Sequence, residues 1–256
     1  MGKIKSFIKN HQGLFNAIFV LSHLGEEIKS FFAPVLPISM FAGNASNAFH
    51  GDEQWKTLVK KITDTVSPTS VVETGTYKGD TTEYLAKISP NPIFTCEVIG
   101  MYRRESKRRL ELYKQVNLLR GSSAALIQKL VAEKQLGDTP LFFLDAHWYG
   151  YWPLADEMKH ISALSKAIIM IDDFKVPGRP QFGYDVQNNN GVIIEEDINY
   201  LKPMLSRNCR VLFPKYDFPE LKDMRGYIII FQNMDSEFTK ICEDPFVASN
   251  YEEHKL

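Results

Sequence analysis

From Trp55 onward, short apolar runs alternate with stretches whose apolar residues recur at helical spacing. The runs SVVETG (70–75), IFTCEV (93–98), VNLLRG (116–121), LFFLDAH (141–147) and AIIMIDDF (167–174) have the length and composition of strands. Helical spacing fills 80–88, 102–113, 123–134 and 153–165 between them. Parallel neighbours need a crossover between them, so this alternation predicts a doubly wound α/β sheet with helices on both faces. A further helix is expected near 191–206, followed by VLFPKYDF (211–218) and GYIIIFQN (226–233) with no helix between them. Those two read as a terminal antiparallel hairpin, which brings the expected sheet to seven mostly parallel strands.

The flanks have a different texture. Residues 55–66 carry a helical pattern that stops at Ser67-Pro68, and 31–52 is a connector punctuated by Pro34, Pro37, Gly43 and Gly51. Phe7, Ile8, Leu14, Phe15, Ile18 and Phe19 have helical spacing behind a start that carries Lys3, Lys5 and Lys9. Asn16, Ser22 and His23 interrupt the apolar stretch 13–25, which is too short and too polar to span a membrane. An amphipathic helix packing on the domain, or on a second copy in a homo-oligomer, is the expectation. The chain therefore divides into an N-terminal helical extension and connector (1–60), a main domain (61–240) and a C-terminal tail (241–256).

The first strand runs into Glu73-Thr74-Gly75-Thr76-Tyr77-Lys78-Gly79, an acid-x-Gly-x-x-x-Gly turn, and a helix pattern follows. Glycines here let the backbone take positive φ and let a ligand approach the main chain, and a strand–turn–helix unit of this kind holds nucleotides in doubly wound proteins. The spacing is neither G-x-G-x-x-G nor the phosphate loop. An acid before the first glycine suits an amine-bearing ligand better than a pyrophosphate. Glu97 ends the second strand 24 residues after Glu73, where an acid can accept from ribose hydroxyls or simply sit at the surface. Ser122, after the third strand, reads as an adenine neighbour, as the N-cap of the next helix, or both.

Net charge −1 gives no electrostatic case for a nucleic-acid partner, and YRRESKRR (102–109) reads as a solvated helix face. Cys96, Cys209 and Cys242 form no C-x-x-C pair, which argues against a disulfide framework and suits a reducing cytoplasm.

The richest chemistry gathers at the ends of the fourth and fifth strands. Asp145 and His147 lie two apart, and Asp172-Asp173 follows the next strand. Three aspartates at adjacent strand ends repel one another, which a hard divalent cation such as Mg²⁺ relieves. The alternative has an aspartate capping a turn and Asp145 holding an amino group or a backbone amide. Trp148, Tyr149, Tyr151 and Trp152 could form an acceptor wall or pack as core, and Arg179, Tyr184 and Asp185 lie in a Pro/Gly-punctuated loop long enough to be a lid.

The turn at 73–79 resembles motif I of the class I S-adenosylmethionine-dependent methyltransferases, and the order of elements resembles their fold. Asp145 with Asp172-Asp173 resembles the metal-dependent sugar O-methyltransferases of macrocin and aminocoumarin type. That resemblance implies S-adenosylmethionine and Mg²⁺ as cofactors and a small-molecule or glycan hydroxyl as acceptor. It further implies that Glu73, Gly75, Thr76, Tyr77, Gly79, Glu97, Ser122 and Asp145 hold the cofactor, that Asp145, Asp172 and Asp173 hold the metal, and that His147 is the base. The family's Asp-Gly-Asp is Asp145-Ala146-His147 here, and motif I lacks its middle glycine. The rival expectations are a cephalosporin hydroxylase-like protein and a non-catalytic scaffold on the same fold.

Overall fold

The computed structural model describes residues 45–147, 152–189, 192–206, 208–217 and 224–256. The expected helix at 13–25 and the aromatics Trp148, Tyr149 and Tyr151 lie outside the described residues. No helix among those described is long and apolar enough to cross a membrane.

Five parallel strands form the centre: β1 (Ser70–Thr74), β2 (Ile93–Glu97), β3 (Val116–Arg120), β4 (Pro140–Leu144) and β5 (Ala167–Ile171). Between them run α2 (Asp80–Ile88), α3 (Gly100–Arg109), α4 (Ser123–Ala132) and α5 (Leu154–Ile161), after an initial α1 (Glu53–Val66). β1, β4 and β5 are buried along their whole length, and β4 and β5 accordingly read as unbroken apolar runs, whereas β1 carries Ser70, Glu73 and Thr74; β3, at the edge, is only half-buried.

The expected hairpin exists, with a correction to its place. β8 (Cys209–Pro214) and β9 (Ile228–Gln232) pair antiparallel, but β9 inserts between β5 and β8. The sheet has eight strands instead of seven, in the order β10-β8-β9-β5-β4-β1-β2-β3. The eighth, β10 (Tyr251–His254), comes from the segment expected as a tail, which also folds α8 (Pro245–Asn250), while α7 (Asp235–Cys242) runs across the expected boundary at residue 240. The helix expected near 191–206 is replaced by β7 (Val192–Glu195), paired with β6 (Val186–Asn189), then one short helix α6 (Ile198–Leu201) and a 3-10 turn.

α1 straddles the junction expected at residue 60. The Asp52 carboxylate caps it by accepting from the N–H groups of Gln54 and Trp55 at 2.8 and 3.0 Å. Trp55, Leu58, Val59 and Ile62 form its buried stripe, and the Trp55 indole stacks on Tyr227 of the segment entering β9 with ring centroids 3.7 Å apart. A chain of buried hydroxyls ties the same region together: Tyr216 donates to Asp52 at 2.5 Å, Tyr216 and Tyr227 share a bond of 2.6 Å, Tyr227 and Tyr251 one of 2.8 Å, and Tyr251 donates to the Gln54 carbonyl at 3.0 Å.

Candidate functional site

The strand order reverses between β1 and β4: β2 and β3 lie to one side, β5 to the other. Ligands in open α/β sheets bind outside the carboxyl ends of the strands at such a switch point. Here the two strand ends nearly touch. Gly75 has φ +85°, and a Cβ on it would lie 2.9 Å from the Asp145 carbonyl oxygen. The glycine therefore permits both the turn and the close approach, and cavities open on either side of it.

A cavity of about 490 Å³ is bounded by Phe49, His50, Glu73, Gly75, Thr76 and Tyr77, with Asp145 and Asp172 on its far side. A second, of about 300 Å³, lies over Glu97, Tyr102, Gly121, Ser123 and His147, and shares His50, Gly75, Tyr77 and Asp145 with the first. Both fall in or near the size range of small-molecule sites. The structure thus brings together Glu73, Gly75, Thr76, Tyr77, Glu97, Asp145 and His147. It does not bring Ser122 or Gly79. Ser122 is exposed at the N-cap of α4 without a side-chain cap bond, and it is Ser123 that faces the cavity. Gly79, at φ +81°, opens α2, where a Cβ would crowd the Leu110 side chain at 3.3 Å.

Glu97 accepts from the backbone N–H groups of Tyr77 at 2.8 Å and Ile99 at 2.7 Å, one on each carboxylate oxygen, so it fixes the turn as well as bounding the cavity. Tyr77, half exposed with φ +47°, meets Tyr102 edge to face with centroids 4.4 Å apart. Glu73 is buried and accepts from the hydroxyls of Thr82 and Thr95. Burial first, then the Glu97 charge, pushes its carboxyl up to about 7 against the two hydroxyl bonds. With the folded value raised, stability is fully present below the unfolded value near 4.5 and falls as pH rises through 7. Glu73→Gln is expected to remove that loss, on the order of 3 kcal/mol across the window; thermal melts between pH 5 and pH 8 should show a flatter profile for the variant.

Beyond β4 and β5 lies a compact acidic cluster. A smaller cavity of about 20 Å³, room for one water or ion, is lined by Asp145, His147, Asp172, Asp173, Glu157 and Glu196 among others. Burial, then repulsion from Asp172 and Asp173, raises the Asp145 carboxyl well above the usual range. Burial pushes Glu157 up to about 7 and, aided by repulsion from Asp185 and Asp173, Glu196 up to about 9. Opposing charge comes from two residues that carry no local motif. Arg225, just before β9, pairs through its guanidinium with Asp173 and Asp185. His50 donates from Nε2 to Asp172 Oδ2 at 2.8 Å, given the matching tautomer. Burial opposes the charged imidazole, but the bond to Asp172 and its charge override this and raise the His50 value. His50 is held by consecutive left-handed residues, Phe49 at φ +52°, His50 at +54° and Gly51 at +77°. Its neighbour Phe49 is anchored among Trp55, Tyr84 and Phe143. Only the fold could reveal these two partners, since they lie 122 residues from Asp172 and 52 from Asp173 in sequence.

The cluster fits a divalent cation. Ligand atoms of Asp145, His147 and Asp173 lie within 4.8 Å of one another, as do those of His50, Asp172 and Asp173. Glu157 Oε1 is buried beside them with no hydrogen-bond partner among the described residues. The grouping differs from the expected one, because Asp145 and Asp172 do not fall in one set.

Of the loop residues, Asp185 reaches the cluster through Arg225, Tyr184 instead donates to Glu195 at 2.8 Å, and Arg179 turns outward to Asp217 at 3.3 Å. Trp152 lines the small cavity and approaches Tyr200 at 5.7 Å.

No family model matches this chain, and no curated protein does. Solved structures do. One is an O-methyltransferase from Bacillus cereus in complex with SAH, at 15% identity and TM-score 0.52, over 71% of this chain and 81% of that one. Another is the O-methyltransferase TomG from Streptomyces achromogenes, involved in tomaymycin synthesis and in complex with SAM, at 15% identity and TM-score 0.53, over 80% and 95%. At these identities the likeness establishes the Rossmann-like fold those proteins share with this chain.

Proposed function

We propose that this chain is an S-adenosylmethionine-dependent O-methyltransferase, assisted by a divalent cation, that acts on a hydroxyl of a sugar or small polyol-like acceptor. The observation that carries the reading is the meeting of Gly75 with the Asp145 carbonyl. It sets a ligand groove at the switch point directly beside a carboxylate cluster. The groove's backbone turn, with Glu73, Thr76, Tyr77 and Glu97 around it, would hold the cofactor's amino acid and ribose ends. Asp145 and Asp173 supply oxygen donors of the kind a hard divalent cation takes, with Asp172 bonded to His50 behind them. A bound cation supplies Lewis acidity toward acceptor oxygens.

The chain's own part is largely orientation. Methyl transfer is an in-line displacement, and holding acceptor oxygen and methyl carbon in line is worth much of the barrier. The acceptor proton needs a base, and the imidazoles of His147 and His50 both face the groove. A second reading, a redox-metal oxygenase on the same scaffold, draws on one fact: two histidines flank Asp172-Asp173.

Calorimetric titration with S-adenosylhomocysteine, with and without Mg²⁺, separates these. Binding is expected in both conditions. If neither shows heat, methyl transfer falls and a non-catalytic scaffold takes its place. With an acceptor in hand, activity is expected to drop on chelation with EDTA; undiminished turnover would remove the cation from the reading.

A further inference from the structure

We infer that His147, together with Asp145 and Asp173, is a direct ligand of the cation, so that the site selects a nitrogen-accepting divalent ion such as Co²⁺, Fe²⁺ or Zn²⁺ over Mg²⁺. The inference rests on a cation working at this site and is independent of which group is transferred there.

The carboxylates of the cluster are engaged to different degrees. Both oxygens of Asp172 are in use: Oδ2 accepts from His50 at 2.8 Å, and Oδ1 accepts from the Asp173 backbone N–H at 2.7 Å. Asp173 gives Oδ1 to Arg225 and leaves Oδ2 facing His147. The Asp145 carboxylate receives no hydrogen bond from any described residue and lines the small cavity. Asp145 and Asp173 therefore each keep an oxygen free of hydrogen bonds from described residues, whereas both Asp172 oxygens already accept one.

His147 Nε2 lies 3.5 Å from Asp173 Oδ2, and Nδ1 lies 3.7 Å from Asp185 Oδ2. Both separations are too long for a good hydrogen bond. The 3.5 Å spacing of Nε2 and Asp173 Oδ2 is what two ligands of one ion show, since metal–ligand bonds of about 2.0–2.2 Å set neighbouring donors roughly 3–3.6 Å apart. The third atom, from Asp145, completes a group within 4.8 Å.

Arg225 and His50 answer Asp172, Asp173 and Asp185 but are not paired with the two glutamates of the cluster. The cavity of about 20 Å³ that these three residues share is also lined by Glu157 and Glu196. Glu157 Oε1 is buried with no partner among the described residues, while the hydroxyls of Ser123 and Thr74 bond to that carboxylate. Glu196 is 7% exposed, and no described donor reaches its carboxylate. A buried carboxylate left unpaired is costly, and a cation in this cavity offsets that cost for several of them together. Once an imidazole joins the donor set, the preference moves away from Mg²⁺, which favours oxygen and water, toward ions that imidazole suits.

The test uses the full-length chain stripped of metal. Co²⁺ and Mg²⁺ are titrated separately by calorimetry, and the proton NMR spectrum of the Co²⁺ form is searched for a hyperfine-shifted imidazole N–H. The expected result is Co²⁺ bound at least tenfold tighter than Mg²⁺, with one shifted N–H signal. His147→Ala should lose that signal and most of the preference, while Asp172→Asn keeps both. His147 is half exposed, so the variant is expected to fold. A signal that survives His147→Ala and disappears in His50→Ala would overturn the assignment in favour of the His50 group. Equal affinity for the two ions, or binding of neither, would also overturn it. S-adenosylhomocysteine binding measured on the same samples shows whether the methyl-transfer reading stands or falls separately.

Discussion

Gly75→Val is expected to reduce cofactor affinity at least a hundredfold and to lower the unfolding free energy by about 2–5 kcal/mol, the sum of left-handed strain and overpacking. Both causes act at one atom. At φ +85° an L side chain is strained, and a Cβ would stand 2.9 Å from the Asp145 carbonyl oxygen, a backbone atom at the end of β4 that cannot swing aside. Relief requires β1 and β4 to part, and that separates the two walls of the groove. Gly178→Ala is the control, because Gly178 has φ +69° but nothing within 4 Å of a Cβ. It should cost about 1 kcal/mol by strain alone and leave cofactor binding unchanged. Denaturant melts and calorimetry on both variants check this. Equal cofactor affinity in Gly75→Val and the parent chain would show that the switch-point contact does not shape the site.

Arg225→Met should be the most destabilising single change in the acidic cluster, by about 3 kcal/mol, because it strands the buried Asp173 carboxylate. The guanidinium is positioned by a tightly stitched backbone: Gly226 N–H donates to the Gly183 carbonyl at 2.7 Å, Gly183 N–H to Met224 at 2.8 Å, and Phe174 N–H to Gly226 at 2.8 Å. The lost charge can be replaced. A divalent ion at a hundred times its dissociation constant contributes about 2.7 kcal/mol, so the variant's melting temperature should rise with added cation more than that of the parent chain. Equal shifts in the two proteins would mean that Arg225 and the cation do not answer the same negative charge.

The parts of this molecule that could be read from sequence are those whose signal is local. β4 and β5 are buried on both faces and announce themselves as apolar runs. The turn at Gly75 is legible because positive φ restricts residue choice. VIIEEDINYL (192–201) was expected to be helical because Val192, Ile194, Ile198 and Leu201 sit near helical spacing, yet Val192–Glu195 pairs with the polar strand Val186–Asn189, whose composition gives no warning. YEEH (251–254) is likewise a strand only because β8 has an edge to offer. At the site, Asp145, His147, Asp172 and Asp173 could be anticipated from their places at strand ends. His50, Arg225 and Glu196 could not, since each reaches the cluster from a turn, a hairpin or a connector that only the complete sheet brings there. Ser122 and Ser123 show the limit of resolution, where one step around a helix start decides which serine faces the ligand.

β10 also covers a sheet edge that would otherwise lie open. Its antiparallel pairing covers β8, whose Val211, Leu212 and Phe213 are buried and whose backbone would otherwise be an open template for another chain's strand. The new edge is only four residues long, with Glu252 and Glu253 exposed on it. A short acidic edge resists intermolecular strand addition. Loss of Tyr251–His254 would leave β8 as a longer, apolar edge, and the consequence to look for would be aggregation.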